Sequence, residues 1–146
     1  MRTSGLHHLA LRTSDLAASE RFYVDLLGLP VLERFYFEDG RPRSVWVGVG
    51  DAFLALEVGP AGPAPADADP GWHCVALRIA RSERAAWRAR LERAGVPIER
   101  ESAYTLYVRD PSGALVGLSH YPDAADRARL NGPGAPRRSR GSPHRS

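Results

Sequence analysis

A single cysteine, Cys74, stands in a chain of 146 residues, and lysine does not occur at all. One thiol can close no internal disulfide and build no Cys-rich zinc module, which suits a reducing compartment. The missing lysines make all 20 basic residues arginine, a bias we assign to a GC-rich coding sequence rather than to function. No apolar run approaches the roughly 18 residues that a membrane span needs. The opening "MRTSGLHH" passes into a strand-like pattern without a hydrophobic signal region, so the expected location is the cytoplasm. Gly-rich phosphate loops, nucleophile elbows and Cys-x-x-Cys pairs are also missing, which leaves hydrolase, kinase and dithiol redox readings without support.

Charge needs locating before it is interpreted. The pI of about 9.5 would suggest a polyanion partner. However, six arginines (Arg127, Arg129, Arg137, Arg138, Arg140, Arg145) lie in the last 20 residues with no acid among them. Removing these six from the net charge of +3 leaves residues 1–126 at −3. No nucleic acid is therefore expected on the folded part, and residues 123–146 read as a disordered basic tail. The whole chain is 43% apolar and 25% charged, and the part before the tail reads as a soluble globular domain.

What is present is a repeat. "GLHHLALR" at residues 5–12 returns as "GWHCVALR" at 71–78, with Gly, His, Ala, Leu and Arg in the same places. Each copy predicts a strand, a helix and three more strands. In the first copy, alternation over 6–13 sets His8, Ala10 and Arg12 on one face. "SDLAASERFYVDLLG" predicts a helix capped by Ser14 or Asp15, with Leu16, Phe22, Tyr23, Leu26 and Leu27 as its apolar stripe and Gly28 as its stop. Strands follow at 31–38, 43–49 and 52–58. In the second copy, "HCVALRIA" is a strand, and Ser82 caps a helix whose stripe is Trp87, Leu91 and Ala94 and whose stop is Gly95. Strands at 98–102, 105–109 and 114–120 complete it, with Asp110 to Gly113 as a turn. The segment "GPAGPAPADADP" at 59–70 is a linker. The fold class is α+β, two tandem β-α-β-β-β modules (5–58 and 71–122) in one domain over 1–122.

"HLALRTSDLAASERFYVDLLGL" and "LYVRDPSGALVGLSHYP", together with this duplication, resemble the vicinal oxygen chelate superfamily of glyoxalases, bleomycin and fosfomycin resistance proteins and extradiol dioxygenases. The resemblance covers residues 5–121. It implies that each module curls into half of an open barrel around a cavity, that a small molecule binds there, and that the protein is a homodimer. It also implies that one metal ligand comes from the first strand and one from the last strand of each module. His8 and Glu57 hold these positions in module one, a sound half-site for Zn, Ni, Mn or Fe. In module two Cys74 replaces the histidine and Gly117 falls where the second carboxylate is expected.

Two functions follow from different classes. The two lost ligands favour a metal-independent binding or resistance-type protein. The intact first half favours instead a divalent-metal enzyme, a glyoxalase-like lyase or isomerase or a dioxygenase, using His8, Glu57 and either Cys74 or His73. The cofactor is thus none or one divalent ion. Arg12 and Arg78 share the cavity face by alternation and could pair with Glu57 in place of a metal. Cys74 reads equally as a small buried hydrophobe. Trp46 and Tyr107, on corresponding strands, either face the cavity as ligand-binding rings or pack in the core, whereas Val45, Val47, Leu106 and Val108 face the helices. His7 and His73 are expected on the opposite side from the cavity, His120 out of register with it, and His144 in the tail.

Overall fold

The structure, a computed structural model, describes residues 5–62 and 73–121. Most of the predicted linker, the predicted tail and His144 lie outside these residues. Within them the order is β1 (His8–Thr13), α1 (Leu16–Glu20) with a π-helical continuation (Arg21–Leu26), β2 (Val31–Tyr36), β3 (Pro42–Val49) and β4 (Ala52–Val58). The second module repeats it: β5 (Val75–Arg78), a 3₁₀ turn (Arg81–Glu83) leading into α2 (Arg84–Arg93), β6 (Arg100–Glu101), β7 (Thr105–Arg109) and β8 (Leu115–Ser119). The expected α+β duplication is present.

Each module forms one four-stranded mixed sheet, in the order β1-β4-β3-β2 and β5-β8-β7-β6. The first strand of each pairs in parallel with the last, and the remaining pairs are antiparallel. The sheets are open and curved; they do not close into a barrel around one shared cavity.

Local signals explain the elements. The Asp15 carboxylate accepts from the Ala18 backbone N–H at 2.8 Å, settling the first cap on Asp15 rather than Ser14. Gly28 (φ 75°) and Gly95 (φ 69°) end the two helical segments in the left-handed region that a side chain disfavours. Ser82 is not the second cap, because the 3₁₀ turn starts one residue before it, and the Glu83 carboxylate reaches back to the Ala80 N–H at 3.2 Å.

Alternation sends one face of each sheet under the helices. Val45, Val47, Leu54 and Leu56 in module one, and Leu77, Leu106, Val108, Val116 and Leu118 in module two, are all buried there. The helices contribute Leu16, Phe22, Tyr23, Leu27 and Leu91 to the same core. Ala94, predicted in the stripe, is exposed, and Trp87 and Leu26 are only partly buried.

The modules are pinned on this helix side. Tyr23 is fully buried and donates its hydroxyl to Asp110 at 3.0 Å. Ser112 Oγ donates to Thr13 Oγ1 at 2.8 Å, and Arg90 donates to the Asp25 carbonyl at 2.8 Å. The Asp110 carboxylate also accepts from the Ser112 and Ala114 N–H groups, so a buried charge has several donors. The opposite faces of both sheets stay open. Among the described residues no helix is long and apolar enough to cross a membrane.

Candidate functional site

The open face of module two carries the candidate site. Pairing of Arg100 with Tyr107, and of Tyr107 with Gly117, sets these three positions side by side on β6, β7 and β8. Arg100 and Tyr107, together with Cys74, Thr105 and Ser119, line a groove of about 410 Å³. Arg100 lies over the Tyr107 ring at 4.4 Å, within the range of a cation–π contact. Its Nη2 meets His73 Nε2 at 3.0 Å. A guanidinium only donates, so in this contact the His73 Nε2 is the acceptor. Thr105 Oγ1 donates to Ser119 Oγ at 2.8 Å, fixing the groove floor.

His73 was expected to point away from the cavity, yet it lines this groove beside Cys74. Neither residue belongs to a regular strand, since β5 begins at Val75, so strict alternation does not bind them. Partial burial pushes the Cys74 thiol up, against the opposing pull of the Gly117 backbone and of Arg100 and Arg109. Gly117 is packed over: a Cβ there would lie 3.0 Å from Thr105 Cγ2, 3.5 Å from Cys74 Sγ and 3.6 Å from the Ala76 Cβ.

The open face of module one is a row of rings. Phe35 meets Trp46 at 4.7 Å, Trp46 stacks on Phe53 at 4.4 Å, and Phe53 stacks on His8 at 5.0 Å. His7 closes the row edge-on to both His8 and Phe53, and its Nδ1 meets that of His8 at 2.8 Å. The row runs from β2 across β3 and β4 to β1, so Trp46 belongs to the open face, not to the core. His7 was expected on the other side; it precedes β1 and turns onto this face.

The proposed half-site of His8 and Glu57 is not assembled. In the parallel register His8 stands opposite Phe53, whereas Glu57 stands opposite Arg12, four residues along. At about 3.3 Å per residue that is roughly 13 Å of strand. The open-face positions of β4 nearest His8 are Phe53 and Ala55, which offer no ligand. Arg12 and Glu57, though opposite in register, form no ion pair, so the expected replacement of the metal by a salt bridge is not made either. Cys74 lies just ahead of β5 in the other module and does not join them. Among the described residues no group of three or more His, Cys, Asp and Glu side chains is placed to hold a metal ion. The described side chains therefore do not fit a divalent centre within one chain. Arg78 is exposed beside Ser119 at the end of β5.

Several groove residues escaped the sequence reading, among them Arg100, Ser102, Tyr104, Ser119 and Tyr121. The signal for Arg100 was available, because a hairpin joining 98–102 to 105–109 places it across from Tyr107. Tyr104 and Ser102 lie in the turn of that hairpin, where alternation says nothing. His120, expected out of register with the cavity, is buried at 6% exposed next to the Tyr104 ring, and its Nδ1 has no partner among the described residues.

Two tandem β-α-β-β-β sheets with ligand-sized open faces define a class, and the comparisons agree. The sequence model of the Glyoxalase/Bleomycin resistance protein/Dioxygenase superfamily matches residues 5–118, and the chain belongs to this family. Among solved structures it is similar to lactoylglutathione lyase from Agrobacterium tumefaciens, at 25% identity and a TM-score of 0.63 over 82% of this chain and 96% of that one. A glyoxalase/dioxygenase from Nostoc punctiforme shares 19% identity at a TM-score of 0.69, over 82% and 92%. The fosfomycin resistance protein FosX from Listeria monocytogenes shares 17% at 0.66, over the same fractions. A further FosX structure from that organism is a complex with Mn(II). No curated protein sequence matches the chain.

Proposed function

We propose that this protein binds a small organic molecule in the groove of module two, without a metal, as a binding or resistance-type member of its superfamily. The observation that carries the reading is the groove itself: hydroxyls, a thiol, a guanidinium and tyrosine rings converge on one open sheet face, with no carboxylate among the described residues of its lining. Pockets of this volume suit ligands of modest size. We also infer a cytoplasmic homodimer in which a second copy covers the open faces. The exposed Leu32, Tyr36 and Phe37, together with the ring row beside them, support it, as apolar surface of this extent is costly to leave in water.

Two measurements test this. Metal analysis of full-length protein purified without chelator is expected to find far less than one Zn, Ni, Fe or Mn per chain. Stoichiometric metal that is lost on His8→Ala would overturn the metal-free reading in favour of the second one, a metal-dependent lyase, isomerase or dioxygenase. That alternative draws support from the His8 imidazole on the open face of β1 and from Cys74 at the equivalent place before β5. Sedimentation velocity is expected to give a two-chain species that dissociates when Trp46 and Phe53 are replaced by serine; a monomer at all concentrations would refute the dimer.

A further inference from the structure

Arg100 differs from its neighbours. Arg84 and Arg88 are both ion-paired with Glu101, and Arg109 with Glu99 at 2.8 Å. These pairs satisfy their charges on or near the protein surface. Arg100, between those two glutamates in sequence, pairs with neither. It stands over the groove with the His73 ring beside it and the Tyr107 ring beneath it. Neither neighbour carries a negative charge, and among the described residues no carboxylate lines the groove. The hydroxyls of Tyr104, Tyr107 and Tyr121, which border the same space, make no hydrogen bond to any described residue.

A cation left uncompensated beside unused donors, in a groove without acids, is electrostatically complementary to an anion. The planar fork of a guanidinium matches an oxyanion with two adjacent oxygens, and such charge-assisted bonds are about twice as strong as neutral ones. The tyrosine rings flanking it suit a flat apolar body.

We propose that the ligand of this groove is a small organic oxyanion, a carboxylate in the first instance, whose acid group is held by Arg100 and whose flat portion lies along the Tyr107 and Tyr104 side of the groove. The proposal rests on the groove being the binding site and adds the charge class of what binds.

The test uses full-length protein, with amide and side-chain NMR shifts followed during titration with sodium benzoate and, separately, with neutral benzamide. Benzoate is expected to shift the resonances of residues 73, 100, 105 and 107, with benzamide about tenfold weaker or more, in line with the strength of charge-assisted pairing. Arg100→Gln is expected to abolish the preference while the other shifts persist; Arg100→Lys, which keeps the charge but not the fork, is expected to restore part of it. Circular dichroism identical to the parent shows that both variants fold, as an exposed position predicts. Benzamide binding as tightly as benzoate, or a preference that survives Arg100→Gln, would overturn the oxyanion proposal and leave the groove as the site. Shifts confined to residues outside the groove would overturn the site itself and the proposal with it.

Discussion

Gly117 and Cys74 show how single positions shape the groove. The Thr105 methyl lies 3.0 Å from where a Gly117 side chain would begin, and the Thr105 hydroxyl is bonded to Ser119, so the methyl cannot turn aside freely. Gly117→Ala is expected to lower stability by about 1 kcal/mol, seen as a lower urea midpoint at unchanged slope. No change in the midpoint would show that the floor yields more easily than its hydrogen bond suggests. Cys74 has a thiol held above the ordinary range by burial. A raised pKa means less thiolate at neutral pH, so alkylation by iodoacetamide is expected to be slower than for free cysteine at pH 7. Its rate should rise to a plateau only above pH of about 8.5, the midpoint of an unperturbed thiol. A midpoint below that value would mean that the two arginines outweigh desolvation.

The elements were the most legible part of the sequence, and pairing between them the least. Alternation with buried Val45, Val47, Leu106 and Val108 on one face, and Gly28 and Gly95 at corresponding ends, gave strands, helices and the duplication from neighbours within a few residues. The site depends on distances across strands. Nothing in "HLALRT" or "AFLALEV" states that His8 aligns with Phe53 rather than with Glu57; parallel register is set by core packing across the sheet, and a shift of a few residues moves the carboxylate out of reach. The π-helical stretch was equally invisible, since the stripe over 16–27 suits an ordinary helix, yet the Leu27 N–H bonds to the Phe22 carbonyl five residues back. Residues ahead of that stretch form a helix of only five residues, which leans on its cap. Asp15→Ala is expected to cost about 1 kcal/mol in thermal or urea unfolding; an unchanged midpoint would mean that core packing of Leu16 and Phe22 alone fixes the turn.

At the scale of the molecule, buried polar contacts join the two modules. Tyr23 supplies a hydroxyl from the first module to a carboxylate of the second, and burial pushes the Tyr23 hydroxyl far above its usual range, with the Asp110 charge and hydrogen bond adding to it, so the phenol stays protonated as a donor. Tyr23→Phe leaves Asp110 with its backbone donors but one fewer partner. A loss of about 1.5–3 kcal/mol is expected, still in a single unfolding transition. Two separate transitions would show instead that this contact is what couples the modules. Trp46 gives the proposed dimer a consequence of another kind. Sandwiched mid-row between Phe35 and Phe53, that indole sits on the surface where a second subunit would arrive, so in a variant with Trp72 and Trp87 replaced by phenylalanine its emission colour would track how wet the sheet is, and association of two chains would announce itself as a blue shift without any added dye.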